Sequence, residues 1–191
     1  MILTGPEIMS QVEEGRIVID PFDESNVNPN SYNFTLGPTL HCYRDFPLDP
    51  RRVNECEAIE IGADGYVLEP GRLYLGHTVE RLGSNHFAPT YSARSSVARL
   101  GLFINLSASL GDIGFVGQWT LQLVPTHPLK VYAHMRIGQM MFWKPKGEIL
   151  LYDGKYQASE GPQRSQIYRD FGVQPQEPDE RRSGVAETIG T

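Results

Sequence analysis

After its first fifteen residues the chain never again sustains the 3.6-residue period of an amphipathic helix. Instead, short β-prone runs follow one another, cut by Gly, Pro, Asn and Asp. The runs at 31–36, 39–43, 72–79, 90–94, 103–107, 119–124 and 137–143 read as strands. Several of them alternate apolar and polar residues, as a half-buried strand does. Residues 95–100 fit one helical turn between strands. Ahead of these, Thr4-Gly5-Pro6-Glu7 reads as a capping box that opens a helix ending near Gly15. Short strands without long helices leave an all-β fold, a barrel or jelly-roll with a short N-terminal helix, and there is no internal repeat.

Composition narrows the functional classes. At 191 residues, with 40% hydrophobic and 21% charged residues, the chain is long enough for one domain with a real core. No apolar run approaches the ~20 residues that span a bilayer. The N-terminus lacks the basic start and apolar stretch of a signal peptide, and Cys42 and Cys56 are too few for a disulfide framework. A cytoplasmic protein with no membrane partner is expected. The formal charge of −6 argues against a broad nucleic-acid surface but leaves room for a nucleotide, which needs only a few cations in one place. From Gly172 the composition turns to Pro, Gln and charge, so residues 172–191 are expected to form a flexible tail behind a domain at 1–171.

Chemistry concentrates between Arg94 and Leu102. Arg94 and Arg99 flank Ser95 and Ser96 at a strand-to-turn junction. Hydroxyls and backbone N–H groups of such a turn can cradle phosphate oxygens, with the guanidinium forks supplying charge. Alone, an Arg/Ser turn is more often a solvated loop. The continuation adds Asp112-Ile113-Gly114-Phe115-Val116-Gly117, then Thr120-Leu121-Gln122-Leu123, Arg136-Ile137-Gly138-Gln139 and Tyr152-Asp153-Gly154-Lys155. The histidines (His41, His77, His86, His127 and His134) share no spacing. Phe115, Leu121, Leu123, Trp119 and Trp143 read as packing residues, and Gly101, Gly114 and Gly117 as turn residues.

These segments, in this order, resemble the dCTP deaminase/dUTPase family, whose pattern is RSS-x-x-R-x-G, an Asp leading into a G-aromatic-x-G turn, a TLE strand and a later R-I-G-Q strand. Residues 19–23, 30–37 and 68–71 are similar to the family's opening, so the resemblance covers about 1–171. It implies a distorted β-barrel or jelly-roll subunit of the dUTPase-like type, a homotrimer with sites between subunits, and a pyrimidine deoxynucleoside triphosphate as ligand. It further implies that Arg94, Ser95, Ser96 and Arg99 hold phosphates and orient the base or the attacking water. Asp112 would meet the deoxyribose beside Thr120, while Gln139, Tyr152 and Lys155 engage the triphosphate. Residues 155–171 would close as a lid. Mg²⁺ would be carried by phosphate oxygens, with no metal held by protein side chains. Zinc is not implied, because the H-x-E and P-C-x-x-C of zinc nucleobase deaminases do not occur.

The departures bear on the reaction. The expected conversion is dCTP and water to dUTP and ammonia, for which Gln122, Ser95 and Arg99 are the candidate catalytic residues. The family's proton-carrying Glu, however, is replaced by Gln122, and an amide cannot act as a general base. Asn33 stands for an Asp, Ser159 for a triphosphate-binding Gln, Asn105 for a His and Ser109 for a Gly. Three accounts fit: deamination by a rearranged proton route, phosphoanhydride hydrolysis in the manner of a dUTPase, or nucleotide binding without turnover. A substitution made to trap substrate would explain Gln122 but not Asn33 and Ser159.

Overall fold

A computed structural model describes residues 1–174. Helix α1 spans Gly5–Glu13, and twelve strands follow: β1 (Val18–Asp20), β2 (Val27–Asn28), β3 (Ser31–Thr35), β4 (Thr39–Tyr43), β5 (Cys56–Glu60), β6 (Tyr66–Leu68), β7 (Tyr74–Gly83), β8 (Ala88–Ala93), β9 (Leu102–Phe103), β10 (Val116–Pro125), β11 (Leu129–Val131) and β12 (Arg136–Trp143). A second helix, α2, is the one-turn piece Ser95–Arg99 between β8 and β9. The mostly-β class and the N-terminal helix agree with the sequence reading. One detail differs: the Thr4 side chain caps nothing, and Pro6 removes an N–H that would otherwise need a partner. The Gly5 N–H is met instead by the Pro29 carbonyl at 2.8 Å.

The long central strand is β7. On one edge it pairs with β1 along its C-terminal half and β4 along its N-terminal half, and on the other it pairs with β10. Strand β5 extends this sheet beyond β4, and the short β9 extends it beyond β10. The second large sheet runs β2-β3-β12-β8, and β6 pairs β11 apart. The expected barrel or jelly-roll therefore takes the form of two large sheets. A single bridge at Leu36–Thr78 joins them, and another ties Thr90 of β8 to the loop residue Leu110. Of the expected strand 103–107 only Phe103 is in strand form, within β9; the Gln122 N–H of β10 still donates to the Ile104 carbonyl at 2.8 Å, and the ladder goes no further.

Tyr32 and Phe34 of β3, Leu82 of β7, Leu121 and Leu123 of β10, and Met140 and Phe142 of β12 are buried between the sheets. Along β10 the burial alternates residue by residue. The odd positions from Gly117 to Pro125 face the core, and the even positions Gln118, Thr120 and Gln122 lie on the half-buried opposite face. An irregularity tunes this strand. Gln118 sits opposite Arg81 and Thr120 opposite His77, so residues 78–80 of β7 are accommodated against Trp119 alone. The Thr78 hydroxyl fills the gap by accepting from the Trp119 N–H at 2.9 Å. His77 is buried with its ring laid on Gly37, where a Cβ would fall 2.1 Å from the imidazole, and desolvation holds its pKa below 6.5. Among the described residues no helix is long and apolar enough to cross a membrane. The expected tail lies, from residue 175 on, outside the described residues.

Candidate functional site

A cleft of about 530 Å³ opens along the even face of β10. That volume lies within the ~300–1,000 Å³ typical of small-molecule sites. Its floor is Gln118, Thr120 and Gln122, one wall carries Gly111 and Asp112, and another is aromatic, with Tyr91, Phe115, Trp119 and Tyr152. The aromatic wall is a set of edge-to-face contacts. Trp119 meets Tyr91 at 5.5 Å and Phe115 at 5.2 Å, and Phe115 meets Tyr152 at 6.0 Å. The Trp119 indole N–H donates to the Leu82 carbonyl at 2.9 Å, which fixes the ring. Burial pushes the Tyr91 phenol up to about 12, so it stays neutral across the physiological range.

The chain itself supplies the remaining side. Residues 152–166 run back along β10 as a strap. The Gln118 N–H donates to the Ser159 carbonyl at 2.8 Å, the Ser159 hydroxyl donates to the Gln118 carbonyl at 3.0 Å, and the Gly161 N–H donates to Gln118 Oε1 at 2.6 Å. Ser159, the position expected to carry a triphosphate-binding Gln, thus serves to pin the strap. Two glycines permit the approach. Gly117 is a strand residue rather than the turn residue expected, and a Cβ there would lie 2.9 Å from the Ser159 nitrogen. Gly114 holds φ of +101° with the Tyr152 nitrogen 2.7 Å from where its Cβ would be.

Four of the expected ligand residues line this cleft. Thr120 accepts from the Gln163 N–H at 2.9 Å, and Tyr152 accepts from the Tyr156 N–H at 3.1 Å. Asp112 is exposed, and its carboxylate makes no hydrogen bond or ion pair with any described residue. Gln122 Oε1 accepts from the Leu106 N–H at 3.2 Å, while its Nε2 has no partner among the described residues. Gln122 therefore offers the cleft a free amide donor where a carboxylate would offer an acceptor.

The other expected residues stand elsewhere in the subunit. Arg94, Ser95, Ser96 and Arg99 belong to β8's end and α2, and none lines the cleft. Ser95, Ser96 and Arg99 are exposed, while Val97 anchors the turn in the core. Gln139 sits on β12, opposite Asn33 and Ser92 in the second sheet. Lys155 Nζ is paired with Asp170 at 2.6 Å. Gln163 and Ser165 on the strap, which the sequence does not single out, were hidden because nothing in composition tells which strap residue turns inward. For Gln118 a signal existed in its even spacing with Thr120 and Gln122. Among the described residues no three His, Cys, Asp or Glu side chains gather to hold a metal ion.

Comparison with known proteins decides the family. The dCTP deaminase-like family model matches residues 2–145. The chain belongs to the dCTP deaminase-like family. Relatives match over a longer stretch. A protein of Leptospira biflexa is 45% identical over 172 residues, which is 90% of this chain and 98% of that one. A protein of Clostridium botulinum (strain Eklund 17B) is 46% identical over 172 residues, 90% of this chain and 99% of that one. Both are named dCTP deaminase, dUMP-forming. The crystal structure of 2'-deoxycytidine 5'-triphosphate deaminase from Agrobacterium tumefaciens shares the fold, with a TM-score of 0.59 at 22% identity over 74% of this chain. This chain spans about half, 47%, of that one. In the cleft, Gln122 carries an amide donor and Asp112 a carboxylate that are unpartnered among the described residues.

Proposed function

We propose that this chain is an enzyme that converts dCTP and two waters to dUMP, ammonia and diphosphate. The observation that carries the reading is the placement of Asp112, Thr120 and Gln122 on one aromatic-walled cleft. Relatives bearing the dUMP-forming name, matched over nearly their whole length, support it. The dUTP product expected from the motifs gives way to dUMP on the strength of those names.

The chemistry divides in two. Water adds at C4 of cytosine, and the C4–N4 bond breaks to release ammonia. A second water then attacks the α-phosphorus, and the α–β anhydride breaks to release diphosphate. Gln122 holds the pyrimidine through its Nε2 donor, and the proton of the attacking water is relayed by water and the base itself, since an amide cannot take it. Asp112 accepts from the deoxyribose hydroxyl. Mg²⁺, when bound, neutralises the phosphate oxygens.

The cleft carries no Lys or Arg among its lining residues, so the phosphates need charge from elsewhere. Ser95, Ser96 and Arg99 are exposed on α2 and Arg94, just before it, is half-buried, and we propose that a second copy of the chain presents them, with Gln139, Tyr152 and Lys155 assisting, in a homotrimer. Light scattering should return three times the 21.4 kDa subunit mass, and a monomer at micromolar concentration contradicts the shared site. The reaction is tested by incubating protein and Mg²⁺ with dCTP and reading ammonia and diphosphate separately. Equal amounts are expected. Diphosphate without ammonia would indicate a diphosphatase, and neither product would indicate a binder.

A further inference from the structure

We propose that a second cavity, on the far side of the strap from the cleft, is a binding site for a polyphosphate anion. The cavity measures about 510 Å³ and is lined by Arg51, Arg52, Glu55 and Arg164, with Val53, Val173 and Gln174 completing it. It shares two walls with the cleft. Leu48 and Ser165 face the cleft, while Arg51, Arg52 and Arg164 of the same two segments face the second cavity.

The three guanidiniums retain free donors. Arg51 lies over the Phe171 ring at 5.5 Å, a stacking that leaves its in-plane N–H groups for an acceptor. Arg52 is 80% exposed with its nearest carboxylate, Asp49, at 3.8 Å, too far for a hydrogen bond. Arg164 spends one N–H on Glu55 at 3.1 Å, and Glu55 is the one carboxylate lining the cavity among the described residues. The loop that carries Arg51 and Arg52 is folded on itself. The Asp49 N–H donates to Asn54 Oδ1 at 3.0 Å, Asn54 Nδ2 donates to the Asp49 carbonyl at 2.9 Å, and the Arg51 N–H donates to Asp49 Oδ1 at 2.9 Å. Three forks from two separate segments, set against one carboxylate, suit an anion with several phosphates better than a single one. The inference does not depend on the reaction proposed for the cleft. The anion is either the phosphate chain of the nucleotide in the cleft or that of a separate molecule.

The test is calorimetric titration of the full chain with inorganic triphosphate. Replacing Arg51 and Arg52 together with Ala should weaken binding at least about 10-fold, the scale of one charge-assisted contact. Glu55→Gln should tighten it by about 2–5-fold by removing the competing carboxylate. Arg94→Ala with Arg99→Ala should leave this binding in place, which separates it from the phosphate residues of α2. Unchanged affinity in the Arg51/Arg52 variant, or weaker binding in Glu55→Gln, overturns the proposal. Should the double variant fail to fold, the sign of the Glu55→Gln change decides alone. Kinetics with dCTP then separate the sources. A raised KM in the double variant with competition by triphosphate marks the nucleotide's own phosphates. An unchanged KM with non-competitive triphosphate marks a separate ligand.

Discussion

Gln122→Glu should raise ammonia release from dCTP by at least about 10²-fold, the lower end of what a positioned general base contributes. Gln122 lies on the cleft floor with Oε1 held by the Leu106 N–H at 3.2 Å. A carboxylate of the same shape keeps that bond, and its second oxygen replaces the unpartnered Nε2. Water's proton then has an acceptor at the point where the amide offers only a donor, and the same group can return it to the departing amine. The pH profile of the variant should gain a limb from the new carboxylate that the parent lacks, while diphosphate release from dUTP stays within a few-fold. The measurement is a stopped assay for ammonia across pH, with diphosphate read in parallel. If ammonia release slows instead, Gln122 is adapted to the reaction, and a missing base does not limit the parent.

Trp119→Ala should cost about 3–5 kcal/mol of stability, the range for deleting a large buried aromatic ring. At ~2–4 °C per kcal/mol for a domain of this size, Tm should fall by roughly 6–20 °C. Trp119 is 8% exposed and braced by Tyr91, Phe115 and the Leu82 carbonyl, and Gly111 lies so close that a Cβ there would overlap the indole. Trp119→Phe keeps most of the ring but leaves the Leu82 carbonyl unpaired and should lose about 1–3 kcal/mol. Calorimetry at one fixed protein concentration checks both, since association raises apparent stability. A Tm within 2 °C of the parent for Trp119→Ala contradicts this role for the ring.

The sequence was most legible where strand period and chemistry coincide. The alternation of β10 names Thr120 and Gln122 as neighbours on one face, and both line the cleft. The one-turn helix at Ser95–Arg99 also follows from the sequence. Strands β1, β2, β5, β6 and β11 were not legible. They run two to five residues, too short for an alternation to show; β1 and β2 are placed by the longer β7 and β3, while β5 pairs the equally short β4 and β6 pairs β11. Sequence reading stopped β7 at Val79, but the strand runs on to Gly83. Glu80 looks like a strand end, yet it is buried and accepts both the Thr35 N–H and hydroxyl at 3.0 Å. That residues within 155–171 come to lie beside the cleft was legible, through the resemblance alone. That Ser159, Gly161 and Gln163 bond to β10 of the same chain was not, because partners 41 to 43 residues away leave no mark in composition.

The central claim is that one cleft carries dCTP through to dUMP. Base-labelled dCTP, incubated with protein and Mg²⁺ in the presence of excess unlabelled dUTP and resolved by chromatography, tests it most directly. The account predicts label in dUMP from the first time points, with ammonia in equal amount and no labelled dUTP accumulating. Label that stops in dUTP, or stays in dCTP while the added dUTP is hydrolysed, contradicts it.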